Sequence, residues 1–173
     1  MNLILCGMMG AGKTTVGVKI AEKTGLRWYD TDQIIVHRHG KISDIFEYYG
    51  EEHFRRLETE VVKELSREDG LVISSGGGLV LRTENSELLK KNGVVVFLRA
   101  TVETLVGRLG LFNDRPLLQG KESVVGQKLT ELMQERTPVY EGVSDYIVDV
   151  DGKTPSETAD EIVKLLKEGA CTH

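Results

Sequence analysis

One glycine-rich segment near the start of the chain constrains the fold more than any other feature. Gly7-Met8-Met9-Gly10-Ala11-Gly12-Lys13-Thr14 fits the pattern G-x-x-x-x-G-K-[S/T]. The apolar run 3–6 before it predicts a buried strand, and residues 15–23 after it have the spacing of a helix. A strand, a glycine loop and a helix in this order bind phosphate, because backbone N–H groups and the helix N-terminus point at the anion. The alternative is a glycine-rich turn without a ligand.

Two side chains of this segment have a predicted chemical role. Lys13 can reach the β- and γ-phosphates of a nucleoside triphosphate, and the Thr14 hydroxyl can ligate Mg²⁺. We therefore expect a nucleotide as substrate and Mg²⁺ as cofactor.

The length and composition of the chain favour a single globular domain. The chain has 173 residues, of which 40% are hydrophobic and 28% charged, and we expect one domain over 1–169 with a tail at 170–173. The net charge of −5 argues against a general nucleic-acid binder, because such proteins are usually basic. No apolar run has the length of a membrane span, and the chain enters a strand pattern at once, so a cytoplasmic protein without a signal peptide is expected. Cys6 and Cys171 form no disulfide framework or zinc pattern.

Strand and helix patterns alternate along the chain. The strand patterns are 3–6, 26–30, 71–74, 94–98 and 146–150. About five strands separated by helices predict an α/β fold with a parallel sheet that is covered on both faces.

Candidate functional residues follow two of these strands. Asp30 and Asp32 come at the carboxyl end of the second strand, where open α/β sheets bind ligands. Either aspartate could instead be the N-cap of the next helix. Gly76-Gly77-Gly78 follows the third strand, and a bare backbone there suggests close approach of a ligand. The alternative is a flexible turn.

The helices carry further candidates. Helices over about 32–66 include Arg55 and Glu58, which are three residues apart and can pair, with surface support of the helix as the alternative. Residues 110–120 lack periodicity and predict an irregular lid after a helix over 102–109. A later helix is expected from 123 to about 137, with Pro138 ending it.

The class of nucleotide enzyme can be narrowed. No Asn-Lys-x-Asp guanine motif occurs, which argues against a GTPase. Asp30 directly follows the second strand, and an acidic residue in that place is typical of small-molecule kinases.

The chain resembles the shikimate kinase family over nearly its whole length. The resemblance rests on 7–14, Asp30-Thr31-Asp32, Phe54-Arg55-Arg56-Leu57-Glu58, Gly76-Gly77-Gly78, Arg115-Pro116-Leu117-Leu118 and Glu135-Arg136-x-Pro-x-Tyr140. It implies transfer of the ATP γ-phosphoryl group to the shikimate 3-hydroxyl, a step toward chorismate and the aromatic amino acids. It also implies a three-layer P-loop NTPase-type fold with strand order 2-3-1-4-5 and a lid loop.

The resemblance implies roles on the acceptor side. Asp32 accepts the substrate hydroxyl, beside backbone donors from Gly76, Gly77 and Gly78. Arg55 and Arg136 bind the substrate carboxylate, and Glu58 orients Arg55. Asp30 holds Mg²⁺ through water beside Thr14, and Ser74 is expected to join that water shell.

It likewise implies roles on the nucleotide side. The phosphates contact Gly10, Ala11, Gly12, Lys13, Thr14 and Thr15. Arg108 stacks on the adenine, and Lys153 and Pro155 line its other face. Arg115 is the lid arginine, which with Lys13 and Asp32 completes the expected catalytic set.

Two other interpretations remain open from the sequence. A gluconate-type or nucleotide-type kinase shares the fold, and a non-catalytic shikimate-binding regulator would be a protein without turnover. The expected partners are ATP and shikimate, with no nucleic acid or membrane, and the expected state is a monomer.

Overall fold

The computed structural model describes residues 1–112 and 123–170, and for Leu111, Phe112 and Ala170 the backbone alone. Five parallel strands form one sheet in the order β2-β3-β1-β4-β5, as expected. The strands are β1 (Asn2–Cys6), β2 (Arg27–Asp30), β3 (Leu71–Ser74), β4 (Gly93–Arg99) and β5 (Tyr146–Asp149). The α/β class and the P-loop kinase fold are therefore confirmed.

Eight helices in the described residues surround this sheet. They are α1 (Lys13–Thr24), α2 (Thr31–His39), α3 (Ile42–Tyr49), α4 (Glu51–Leu65), α5 (Thr83–Lys90), α6 (Val102–Phe112), α7 (Val124–Val143) and α8 (Pro155–Ala170), with a 3₁₀ turn at Leu79–Leu81. No helix among residues 1–112 and 123–170 is both long and apolar enough to cross a bilayer.

The central strands are buried on both faces. Every residue of β1 and β3 is buried, so these strands read as apolar runs without alternation. Because the strands are parallel, the loops after β1, β2 and β3 all open at one edge of the sheet, which is where the candidate residues of the sequence lie.

Local sequence signals set the ends of two helices. Gly25 ends α1 in the left-handed conformation, with φ 75° and its N–H donated to the carbonyl of Ala21. Thr154 and Glu157 form a reciprocal capping box at the start of α8.

Two predicted boundaries differ from the structure. The expected end of a helix at Pro138 is wrong, because α7 continues through that proline to Val143. Its last turns bury Tyr140, and tertiary packing there outweighs the one helical hydrogen bond that proline removes. Helix α6 extends to Phe112, so the first residues of the stretch 110–120 are helical, while 113–122, including Arg115, lie outside the described residues.

Gly93 begins β4 because the sheet leaves no room for a side chain there. A Cβ on Gly93 would overlap the Ile4 side chain and would lie 2.9 Å from the Leu89 carbonyl oxygen. Overpacking of this kind is relieved only by moving backbone.

We predict that Gly93→Ala lowers the free energy of unfolding by about 1–3 kcal/mol. The matched control is Gly142→Ala in α7, where nothing lies within 4 Å of the added Cβ. That control should gain about 0.5–1 kcal/mol from helix propensity. Urea denaturation of the three proteins measures both changes, and equal stability of the two variants would contradict the packing argument.

Candidate active site

The loop between β1 and α1 is curled around the ammonium group of Lys13. Its Nζ donates to the carbonyl oxygens of Gly7 at 2.8 Å and Met8 at 2.9 Å. Gly10 and Gly12 have φ of 81° and 93°, which L side chains rarely adopt. Desolvation lowers the pKa of Lys13 to about 8, although the nearby Asp32 favours its charged form. The loop therefore already has the concave shape that a phosphate group requires.

A cleft of about 580 Å³ opens beside this loop. It brings together residues that are far apart in the sequence: Gly10, Gly12, Lys13, Thr14, Thr15, Asp30, Asp32, Gly77, Arg108, Lys153 and Pro155. These are all candidates from the sequence, and the cleft adds Met9 and Ser75, which the sequence did not single out.

The carboxylate of Asp30 accepts three hydrogen bonds at the edge of the cleft. Its Oδ1 accepts the N–H groups of Asp32 and Gln33 and so caps α2, as the alternative interpretation held. Its Oδ2 accepts the Thr14 hydroxyl at 2.7 Å. Capping does not exclude a metal role, because one carboxylate oxygen and one hydroxyl still face the cleft together. Oxygen ligands of this kind fit Mg²⁺, which keeps several waters and takes few protein ligands.

One carboxylate oxygen of Asp32 accepts no hydrogen bond from the described residues. Its Oδ1 is buried and has no hydrogen-bond partner in the described part of the chain. Desolvation raises the pKa of the Asp32 carboxyl, and the charge of Asp30 raises it further. Asp32 also lines the cleft, so its carboxylate can accept a hydrogen bond from a hydroxyl group of a ligand there.

Arg55, which is partly buried, pairs with the fully buried Glu58, so the pair is not a surface support of the helix. Arg55 Nη1 donates to Glu58 Oε2 at 2.7 Å, and Glu58 is 1% exposed. Glu51 holds the other side of the guanidinium through Nη2 at 3.0 Å. Burial raises the pKa of Glu58 while Arg55 opposes that shift. Glu58 Oε1 is the second buried oxygen here without a described partner.

At two of the three glycines after β3, Gly76 and Gly78, side chains of the site lie too close for a Cβ atom. None of them has a positive φ, so turn geometry does not require glycine. A Cβ on Gly76 would lie 2.5 Å from Asp32 Oδ1, and one on Gly78 would overlap the guanidinium of Arg55. The Gly76 N–H donates to Thr31 Oγ1 at 2.9 Å, so the backbone donor expected from Gly76 already has a partner.

Arg136 reaches the same place from α7. Its Nη1 lies 3.5 Å from the position that a Cβ would take on Gly77. None of the carboxylates that the structure describes forms an ion pair with it. Its charge is therefore available to an anionic ligand, in contrast to that of Arg55.

Arg108, Lys153 and Pro155 lie at the other end of the cleft. Arg108 Nη1 donates to the Ala11 carbonyl at 2.9 Å, and its Nη2 donates to the Val150 carbonyl at 3.3 Å. Lys153 pairs with Glu161 at 2.6 Å. Arg108 thus joins the phosphate loop to the segment after β5, where the base of a nucleotide would lie.

Comparisons with known proteins agree with this geometry. The family model described as shikimate kinase matches residues 9–167. The chain belongs to the shikimate kinase family. The shikimate kinase of Thermodesulfovibrio yellowstonii is 42% identical over 164 residues, with 94% of this chain and 93% of that protein covered. The shikimate kinase of Geobacter metallireducens is 44% identical over 167 residues, with 96% and 92% covered.

Solved structures of the family share the fold. Shikimate kinase from Acinetobacter baumannii in complex with shikimate has a TM-score of 0.87 at 38% identity, covering 97% of this chain and 93% of that one. Shikimate kinase from Aquifex aeolicus has a TM-score of 0.83 at 34% identity, with both chains fully covered. Like its relatives, this family member is an ATP-dependent phosphotransferase.

Ser74 lies behind the phosphate loop of this kinase. It is 1% exposed, accepts the indole N–H of Trp28 at 3.0 Å and donates to the Lys13 carbonyl at 2.8 Å. The expected place in a water shell around Mg²⁺ would require its hydroxyl to face the cleft.

Tyr140 is part of a motif that carries the family resemblance, but sequence reasoning assigned it no role in the site. Its hydroxyl donates to the Gly77 carbonyl at 2.5 Å, its side chain is fully buried, and burial raises its pKa to about 12. The available signal was its place four residues after Arg136, which puts both on one side of a continuous helix. Ending that helix at Pro138 concealed the relation.

We predict that Tyr140→Phe lowers the free energy of unfolding by about 1–3 kcal/mol, because the Gly77 carbonyl loses its buried donor. The shikimate KM should also rise, since Gly77 lies against Arg136. Tyr48→Phe, which removes an exposed hydroxyl, is the control and should stay within about 0.5 kcal/mol of the wild type. Denaturant titration and steady-state kinetics provide the two readouts, and an unchanged Tyr140→Phe enzyme would remove this residue from the site.

Proposed function

We propose that this chain transfers the γ-phosphoryl group of ATP to the 3-hydroxyl of shikimate, with the cleft residues in the roles that follow. One observation carries the proposal: a preformed phosphate loop shares a cleft with the carboxylate of Asp32, whose buried Oδ1 has no described donor. Beside that carboxylate, the guanidinium groups of Arg136 and Arg55 lie close to the backbone of Gly77 and Gly78. A ligand with hydroxyl groups and a carboxylate complements this arrangement.

The acceptor subsite matches the chemistry of shikimate. Arg136 carries a charge without a described carboxylate partner, and Arg55 is held by Glu58 in a fixed orientation. Guanidinium groups bind carboxylates through two parallel hydrogen bonds, which suits the carboxylate of shikimate. The carboxylate of Asp32, which lines the cleft, then accepts a substrate hydroxyl.

The donor subsite holds the nucleotide. The loop glycines with Lys13, Thr14 and Thr15 receive the phosphates, and Arg108, Lys153 and Pro155 receive the base. Thr14 and Asp30, the latter through water, would hold Mg²⁺, which when bound neutralises charge on the phosphates.

Transfer then depends on position and charge. Lys13 stabilises charge on the transferring group, and Asp32 orients the attacking hydroxyl and takes its proton. The transition state is loose, so alignment contributes more than basicity. Arg115, which lies outside the described residues, stays a prediction as the lid cation.

The other kinase types share the fold but are not expected to combine Asp30-x-Asp32 with Gly76, Gly77 and Gly78. Structures under 25% identical, such as a sugar kinase from Janibacter with a TM-score of 0.57, show the fold alone. A coupled ADP-release assay with shikimate, gluconate and CMP side by side tests the proposal. ADP release with shikimate, and not with gluconate or CMP, supports the proposal. Turnover with gluconate or CMP would instead indicate another type of kinase. Shikimate binding without turnover would indicate a regulator.

The physical setting of the enzyme is also proposed. Its net charge of −5 suits a cytoplasmic monomer that acts on small molecules and binds no nucleic acid. Size-exclusion chromatography with light scattering would reveal any larger assembly.

We predict that Asp32→Asn lowers kcat by about 10²-fold or more while ATP affinity changes little. The amide cannot take the proton and presents a donor where the substrate presents one. Calorimetric titration with ATP, without shikimate, separates the two effects. Asp44→Asn, at an exposed acid on α3, should behave as the wild type. A comparable loss of ATP affinity would assign Asp32 to the metal instead.

We predict that Arg55→Lys raises the shikimate KM strongly although the charge is kept. Lysine cannot reproduce the planar fork that Glu58 and Glu51 now hold, and the loss should be about 2–3 kcal/mol. The neighbouring Arg56→Lys is the control, because Arg56 is exposed and contacts His53. Equal KM values for the two variants would exclude Arg55 from substrate binding.

A further inference from the structure

Three residues from three elements form a chain of hydrogen bonds behind the phosphate loop. The indole Nε1 of Trp28 in β2 donates to Ser74 Oγ at 3.0 Å. Ser74 ends β3, and its Oγ donates to the carbonyl oxygen of Lys13 at 2.8 Å. The link is buried at Ser74, which is 1% exposed, so water does not compete for either bond.

The direction of this chain is fixed by chemistry. An indole nitrogen can only donate, so the Ser74 oxygen must accept from Trp28. The hydroxyl hydrogen of Ser74 is then directed at the Lys13 carbonyl. Successive hydrogen bonds of this kind polarise one another.

The chain ends on a peptide group that belongs to the nucleotide site. The Lys13 carbonyl and the Thr14 N–H are the two ends of one planar trans peptide and point in opposite directions. Thr14 is the second residue of α1, so its N–H has no partner within the helix. Thr14 also lines the cleft. The Lys13 carbonyl, as the first of the helix, also accepts the N–H of Gly17. The bond from Ser74 is therefore a second one at this carbonyl, which holds the plane of the peptide more firmly and strengthens its N–H as a donor to phosphate.

Helix α1 leaves room for the chain at Gly17. A Cβ at Gly17 would lie 2.5 Å from Ser74 Oγ and 2.6 Å from Trp28 Nε1. The φ of Gly17 is not positive, so contact alone accounts for glycine one turn after Lys13.

We propose that Trp28 and Ser74 are positioning residues for the nucleotide phosphates, acting through the Lys13–Thr14 peptide. This inference rests on the proposed use of ATP. It assigns Ser74 to the loop, with its hydrogen directed away from any metal-bound water. It also gives Trp28 a role in nucleotide binding although the indole lies behind the loop.

The test is a double-mutant cycle of Ser74→Ala, Trp28→Phe and the combined variant. Calorimetry measures the Kd for ATP with Mg²⁺ and no shikimate, and kinetics measure both KM values. Ser74→Ala should weaken ATP binding by about three- to tenfold, the loss of one hydrogen bond. The Kd of Trp28→Phe for ATP should lie between those of the wild type and Ser74→Ala. The Kd of the combined variant should equal that of Ser74→Ala. The shikimate KM should stay within about twofold throughout.

A packing role would give a different result. Trp28→Phe would then weaken ATP binding by the same factor in the wild type and in the Ser74→Ala variant, or would raise the KM values for ATP and shikimate together. Either outcome overturns the proposal. An ATP Kd for Ser74→Ala within about twofold of wild type also overturns it. Tyr29→Phe, the next aromatic residue on β2, is the matched control and should leave ATP binding unchanged.

Tryptophan emission provides an independent readout that uses no Trp28 variant. Trp28 is the only tryptophan of the chain. ATP binding should change its emission in the wild type and should change it less in Ser74→Ala, whereas an equal change in both contradicts the link. If the wild type binds ATP but does not phosphorylate shikimate, the proposed substrate is wrong. The role of the hydrogen-bond chain is still tested by the ATP binding data, because no measurement of Kd uses shikimate.

Discussion

The acceptor side of the site depends on space that the glycines after β3 leave free. The Asp32 carboxylate lies where a Cβ of Gly76 would be, and the Arg55 guanidinium lies where a Cβ of Gly78 would be. A larger residue at either position would displace one of these two side chains. The sequence suggested that a ligand approaches this backbone. The structure shows that side chains of the site itself are packed against it.

The same packing leaves two buried acceptors without donors. Asp32 Oδ1 and Glu58 Oε1 both face Gly76 and lack a partner among the described residues. An unmade hydrogen bond to a buried carboxylate costs stability, and the raised pKa values of both groups reflect that cost.

What the sequence predicted well has local or strongly periodic signals. The phosphate loop, the five-stranded sheet, Asp30 at the end of β2 and the Arg55–Glu58 pair all follow from spacing or from neighbours within a few residues. What it missed depends on contacts between distant segments. Pro138 lies inside α7 because Tyr140 binds Gly77, 63 residues away in the sequence, and no local preference reveals that bond. The same holds for Ser74, whose partners come from two other elements.

The order of the strands explains why donor and acceptor groups meet at the right separation. Strand β1, which leads into the phosphate loop, lies directly between β3 and β4. A Cβ on Gly77 would be only 3.7 Å from the Gly7 carbonyl oxygen, so the loops after β1 and β3 touch. Phosphoryl transfer requires the attacking oxygen and the phosphorus to be held in line at close range. Because adjacent parallel strands fix that spacing through the backbone, it does not depend on flexible side chains. Strand β2 on the far side of β3 then needs to supply only Asp30 and Asp32, which reach the gap between the two loops from the first turn of α2.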